Sequence, residues 1–424
     1  MQRGKILWGQ LFLLSTFLLG IPSFLTAEEP ARKAKSLELR PLIQEALQNN
    51  PELASSREQV KAMKERIPQA RTLEDPEVKI QLWNTPETLD VTRSQRTIYG
   101  LAQRFPFPGV LTQQEDIAAR EADRAAQRLA AKEREITMAI KVAYYELFFA
   151  HTAIEIHHEQ IKLLKQFFKI ANAKFRVGKG TQVEVLQAQV ELAKLFQRLP
   201  ILEQRRQTAQ AHLNTILDRN PLAPLGIPRK PVTRPMILTI EQLQEQALRQ
   251  RPELREVDLA VAQFASATKL ARLQYYPKLR VELQRWQNFN TDDGFGGNVT
   301  LNIPFAFWTK PKYDAGVREA MAHREVAQFK KRTLENRTRF QIQDLMAQRE
   351  AKRKVLDLYK TTVLPQAKLT LRAAMAAYRT DRTDFLDLIE ADRALLTYQL
   401  EFVRALVDWE QLLAKLERVV GTEL

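Results

Sequence analysis

The 424-residue chain has no cysteine. That absence removes thiolate chemistry, disulfide staples and an N-terminal acylated cysteine together. Beyond the N-terminus no apolar run approaches the ~20 residues that a membrane-spanning helix needs, so the chain is not a multi-span helical membrane protein. Catalytic signatures are missing as well. No nucleophile elbow or triad pattern occurs. "GKGT" at 178 to 181 has part of a phosphate loop's composition but lacks its glycine spacing and a preceding strand. The five histidines are His151, His157, His158, His212 and His323, and although His151 and His158 share a helical face, no cysteine joins them and a dedicated metal site is not expected. The expectation is a protein without catalysis, cofactor or dedicated metal site. "GFGG" at 294 to 297 lies between two extended runs and reads as a hairpin loop.

What is present is a folded composition, 45% hydrophobic and 27% charged. The N-terminus places Arg3 and Lys5 before the apolar stretch from Ile6 to Leu25, followed by Thr26-Ala27 and an acid. This is the order of a secretory signal over residues 1–27, with an uncleaved anchor helix as the other reading. The formal charge is +15, and removal of residues 1–27 takes away Arg3 and Lys5 but no acid, leaving +13. The bases are spread among acids along the chain without a concentrated tract, so nucleic acid is not the expected partner and a solvated surface, or one facing anionic lipid, is.

The chain repeats itself. "ALQNNPEL" (Ala46 to Leu53) matches "ALRQRPEL" (Ala247 to Leu254) at five of eight positions with an offset of 201, and the same offset aligns Pro76 with Pro277. "FPF" at 105 to 107 faces "IPF" at 303 to 305. "FRVGKGTQVEVLQAQ" (175 to 189) faces "YRTDRTDFLDLIEAD" (378 to 392) with an offset of 203. Residues 28–219 and 237–424 therefore read as two copies, joined by a proline-rich linker over 220–236.

Each copy predicts a helix jointed at a proline (about 37 to 73 and 239 to 275), then two extended segments, then a long helical hairpin. The extended runs "EVKIQLWN", "RTIYGLAQRF", "KLRVELQRW" and "NVTLNIPF" are of amphipathic strand type, and three alternate clearly: Val78, Ile80 and Leu82 against Lys79 and Gln81, for example. Their lengths suit tilted strands crossing a hydrocarbon layer. Val110 to Arg176 runs 67 residues without proline or glycine, a helix of ~100 Å. Lys312 to Arg379 is similar, with Gly316 and Pro365 as its expected breaks. On the last helix Leu388, Ala391, Leu395, Tyr398, Phe402, Ala405, Trp409, Leu412 and Leu416 form one seam. Leu386, Ile389, Leu396, Leu400, Val403 and Val407 form a second, interrupted by Arg393, as expected of a stave packed on both sides. Four strands are too few for a barrel, so several copies must meet; three would give twelve strands. The breaks are then helix reversals at the far end of a tube, where Gly178 and Gly180 permit a left-handed backbone and Asp381 stands in for glycine in the second copy.

At this point the chain resembles the TolC family of outer-membrane efflux proteins, and is similar to its metal-efflux branch, the CusC and CzcC type. "FPFPG", "VLPQAKLTL", "AYRTDRTDFLDLIEADRALL" and "LERVVG" carry the resemblance, in order, over essentially the whole mature chain. It implies a mainly α protein with a small β part. A long periplasmic α-helical barrel would continue a trimeric 12-stranded transmembrane β-barrel. The protein would sit in the outer membrane of a Gram-negative bacterium, in contact with its lipid. The homotrimer would serve as the passive exit duct of a tripartite efflux system with a periplasmic adaptor (membrane fusion protein) and an inner-membrane pump of the resistance-nodulation-division type. Heavy-metal cations are the cargo suggested by the branch. It further implies adaptor-docking tips at Val177, Gly178, Lys179 and at Thr380, Asp381, Arg382, where lysine and a polar second turn depart from the family's Val-Gly-Leu pattern. A carboxylate constriction falls at Asp387 and Glu390, with Glu184 as the half-kept equivalent in the first copy. An exported structural or adhesive coiled-coil protein is the alternative from a different functional class.

Overall fold

The computed structural model describes residues 36–85, 87, 94–231, 238–288, 291–304 and 306–424; the signal segment 1–27 and part of the linker lie outside them. After the two-residue strand β1 (Ser36–Leu37) come α1 (Leu39–Asn49), α2 (Pro51–Arg71), β2 (Glu77–Trp83), β3 (Arg96–Phe105), α3 (Val110–Arg176) and α4 (Gln182–Ile216). The order then repeats after β4 (Ile227–Pro228). It runs α5 (Ile240–Gln250), α6 (Pro252–Leu273), β5 (Leu279–Asn288), β6 (Gly294–Leu301), α7 (Lys310–Leu358), a π-helical turn (Tyr359–Val363), α8 (Leu364–Arg379) and α9 (Phe385–Val420).

The joints between α1 and α2 and between α5 and α6 follow from proline at the first helical position, which needs no N–H there and cannot continue the helix before it. Asn50 caps α2, accepting from the Glu52 and Leu53 amides, and its Nδ2 donates to the Ile216 carbonyl at the end of α4. At the same place in the second copy Arg251 donates to Thr338 Oγ1 on α7, 2.8 Å away. One repeated sequence position thus anchors each jointed helix to its own long hairpin.

α7 runs through Gly316, so that glycine is not a break. The second expected break is real but milder than a stop. The helix widens into the π turn ahead of Pro365, where the Leu364 N–H reaches back five residues to the Tyr359 carbonyl. The wider turn removes the collision that a proline ring makes with the carbonyl four residues earlier, so the helix passes the proline unbroken.

Four strands pair antiparallel in the order β2-β3-β5-β6, the two copies meeting at β3 and β5, with β2 and β6 as edges. The register sorts the side chains. Val78, Ile80, Leu101, Leu283, Val299 and Phe295 share one face, and all are exposed; Val78 is 77% and Phe295 82% accessible. The other face carries Glu77, Lys79, Arg104, Arg280 and Glu282, with Arg104 and Arg280 each 2.8 Å from Glu77.

"GFGG" is strand, not loop. Gly294 pairs with Trp286 and Gly296 with Gln284 inside β6. The Trp286 indole lies across these glycines, and a Cβ on Gly296 would stand 2.6 Å from its Cζ2. Glycine is there because an aromatic ring needs the backbone bare. Composition alone reads the same four residues as a turn.

The hairpins form a wall. α3 packs between α4 and α9, and α9 between α3 and the α7–α8 helix. The upper core gathers Leu53, Ile140, Leu147, Leu213, Val407 and Trp409; a lower one gathers Leu164, Phe167, Ala171, Ala188, Leu371, Phe385 and Leu388. The first seam of α9 is covered along its length. The second is covered except at its start, where Leu386 is exposed. The outer staves are different. α4 buries Ala188, Leu202 and Leu213 yet exposes Val183, Leu186 and Val190 on its opposite side; α7 buries Ala327, Thr338 and Ile342 yet exposes Val326, Phe329 and Phe340 opposite.

Candidate functional site

Both helix reversals use the same backbone device. After α3, the Gly178 N–H bonds the Phe175 carbonyl at 3.1 Å and the Lys179 N–H bonds Lys174 at 2.9 Å; after α8, Asp381 bonds Tyr378 at 3.4 Å and Arg382 bonds Ala377 at 2.9 Å. These are paired Schellman closures, each with a left-handed residue at the same place, Gly178 at φ 72° and Asp381 at φ 58°; Gly180 is not left-handed, because one such residue completes the closure. Aspartate tolerates that region better than most residues, which explains why the second tip manages without glycine. Thr181 then caps α4, accepting from the Glu184 amide. The tips expose Val177, Lys179, Thr380, Asp381 and Arg382.

Side chains stitch the two tips together within one chain. Lys174, in the last turn of α3, donates to the Tyr378 carbonyl and to the Asp381 carboxylate, and its ammonium lies 4.1 Å from the centre of the Tyr378 ring. The Lys174 ammonium holds the Asp381 carboxyl below the usual carboxylate range. The Tyr378 hydroxyl donates to Glu184 Oε2 at 2.7 Å, and burial together with that carboxylate pushes the phenol up. Glu184 is therefore committed to the opposite hairpin rather than standing free.

Asp387 and Glu390 lie three residues apart on the exposed face of α9, one and two turns past the second tip, with Asp387 accepting from Thr383 Oγ1. Beside them a groove of about 360 Å³ separates α4 from α9, lined by Val183, Leu186, Val190, Leu386 and Ile389. Arg393 spans it, its Nε donating to Glu191 at 3.1 Å. Burial would raise the Glu191 carboxyl, but Arg393 and Lys194 outweigh it and hold it low. The structure thus brings Glu184, Asp387, Glu390 and both tips to one end of the molecule. It adds Lys174, Tyr378, Glu191 and Arg393, which the sequence alone does not single out. Tyr378 had a signal, since it falls opposite Phe175 in the repeat while carrying a hydroxyl. Arg393 has one too, as the charged interruption of the second α9 seam, while Lys174 and Glu191 have none, because their meaning lies in contacts across some 200 residues of chain.

The histidines do not converge. His157 is buried with Nδ1 3.1 Å from the Ala153 carbonyl, and burial pushes it and His151 down. Among the described residues no cluster of three or more His, Asp or Glu side chains forms a metal site, and no helix is long and apolar enough to cross a membrane.

A wall of ~100 Å helical hairpins running into a sheet that is apolar on one face and charged on the other defines the class of helical-tunnel channel proteins. The chain belongs to the outer membrane efflux protein family, whose profile matches residues 42–219 and 243–422, nearly the whole of both copies. It is an outer-membrane protein with a periplasmic helical tunnel, and its family is one of channels rather than enzymes. Among curated proteins it is similar to nodulation protein T of Rhizobium leguminosarum bv. trifolii, 21% identical over 292 residues; the match covers 66% of this chain and 62% of that protein. Among solved structures it resembles CusC, with a TM-score of 0.77 at 14% identity over 92% of this chain and 93% of that one. It also resembles VceC of Vibrio cholerae, with a TM-score of 0.76 at 18% identity over 91% of this chain and 96% of that one. At such identities these structures speak for the fold alone.

Proposed function

We propose that three copies of this chain close around a hollow axis and act as the passive exit duct of a tripartite efflux system. The observation that carries the proposal is the set of unsatisfied edges: among the described residues β2 and β6 end the sheet with unpaired backbone groups, and α4 and α7 carry exposed apolar side chains opposite the faces they bury. An open sheet edge in lipid costs several kcal/mol per unpaired group, so copies must meet edge to edge, twelve strands in all. The exposed apolar face of the sheet meets outer-membrane lipid, and the charged face lines the lumen. Residues 28–219 and 237–424 act as structural repeats, with residues 220–236 as their linker.

The tips at Val177, Gly178, Lys179 and at Thr380, Asp381, Arg382 are the docking points for a periplasmic adaptor, which delivers cargo from an inner-membrane pump of the resistance-nodulation-division type. Asp387 and Glu390 from three copies place six carboxylates around the axis, a constriction that attracts cations; Glu184 completes the acidic set while bonded to Tyr378. Heavy-metal cations are a candidate cargo. The alternative of an exported coiled-coil scaffold leaves the exposed apolar face of the sheet without a purpose. Deletion of the gene is expected to raise susceptibility to metals or drugs, with rescue by the plasmid-borne chain. Unchanged susceptibility to every pump substrate tested would overturn the duct reading.

A further inference from the structure

Asp392 lies on the opposite side of α9 from the exposed acids, on the covered seam four residues after Leu388 and three before Leu395. It is 3% exposed. Gln160 of α3, 4% exposed, lies against it, yet neither Asp392 Oδ1 nor Gln160 Nε2 completes a hydrogen bond within the geometric limits among the described residues. A buried carboxylate with an unmatched oxygen is unfavourable, and such a group lowers the penalty by taking up a proton. On α3, Gln160 faces it, and His157, buried one turn earlier on the same helix, is pushed by burial toward its neutral form. α4 supplies Glu191, and α8 lends the apolar Ala367 and Leu371 to the same core. Arg393 on α9 itself is engaged by Glu191. Burial, helped by Glu191 and opposed by Gln160 and Arg393, raises the Asp392 carboxyl to about 7.

We propose that Asp392 is a proton-operated contact between α3 and α9, dry and packed when protonated, and drawing water into the seam when ionised. Protonated, its hydroxyl has the Gln160 amide as an acceptor. Ionised, it loosens α9 over the stretch whose exposed face bears Asp387 and Glu390; the consequence for flow rests on the duct reading. The sign is fixed by the raised value. The packed form is favoured at acid pH, and its advantage is lost as pH climbs from the ordinary aspartate range, about 3.9, through about 7.

The test is hydrogen exchange of the segment 385–400 in the full-length oligomer in detergent, at about pH 5.5 and about pH 8.5, corrected for intrinsic exchange. Those two values make opening of the seam about thirty-fold more frequent at the higher pH. In Asp392→Asn, which cannot ionise, protection of this segment is expected to be independent of pH, as it is in Asp392→Leu should the amide variant fail to fold. An infrared carbonyl band of a protonated carboxylic acid is expected near neutral pH in the native protein and not in Asp392→Asn. A wild type with flat protection, or variants that keep the wild-type pH profile, would overturn the proposal. Bilayer conductance on the same samples separates the two readings. A conducting protein without pH-dependent exchange loses the proton contact and keeps the duct, whereas pH-dependent exchange without conductance keeps the contact and loses the duct.

Discussion

Tyr378→Phe removes one hydroxyl and with it the bond from α8 to Glu184 on α4, 2.7 Å long and partly buried. A hydrogen bond to a charged acceptor contributes about 1.5–3 kcal/mol. Glu184 is only half-buried and regains water when released, so the lower end, about 1–2 kcal/mol per chain, is appropriate. That is roughly a five- to thirty-fold shift in any equilibrium in which the two hairpins part at their tips. The assay is single-channel recording in planar bilayers, where Tyr378→Phe is expected to raise the open fraction or mean conductance. Lys174→Met removes the two bonds from α3 to the second tip. Its effect combined with Tyr378→Phe is expected to be non-additive, because the lysine lies over the same ring. Tyr359→Phe is the control, since it breaks a comparable phenol–carboxylate bond to Glu401, 2.6 Å long, well up the hairpin from the tips. Equal conductance changes in the Tyr378→Phe and Tyr359→Phe proteins, or none in either, would refute the reasoning that the tip stitch holds the hairpins together.

Gly296→Val is expected to displace Trp286 and abolish heat-modifiable oligomers on gels, whereas Gly316→Ala, whose Cβ meets nothing within 4 Å, should leave them intact. Asp387→Asn combined with Glu390→Gln is expected to remove cation preference, read as reversal potential in a salt gradient, while circular dichroism stays unchanged; an unaltered preference would move the constriction elsewhere. Phe167→Ala, at a fully buried site of the lower core, is expected to cost about 3–5 kcal/mol, measured as a lowered thermal midpoint of helix loss, with Val177→Ala at the exposed tip costing little.

Much of this architecture is legible in the sequence because its elements are long and periodic. The 67-residue helix ends where proline and glycine end it, and strands β2 and β5 fall on "EVKIQLWN" and "KLRVELQRW" as the alternation indicates. The tips were readable from one glycine and one aspartate, whose shared backbone conformation is a local property. "GFGG" reads as a loop although it is strand, because the reason for those glycines, an indole across the ladder, lies on another strand. Pro365 marks its break correctly, but the mild form of that break, a π turn, leaves no composition signal. Asp392 did have a trace: an acid at a seam position between Leu388 and Leu395 violates the apolar pattern, and the seam drawn through Ala391 passes beside it.

The account turns on closure by identical copies. The most direct measurement is the mass of the detergent-solubilised protein, by light scattering or native mass spectrometry, with electron microscopy of the same particles. Three chains are expected around a central hole that runs from the sheet through the helical wall. A single chain, stable in detergent with its β2 and β6 edges unpaired and no hole along any axis, would contradict it.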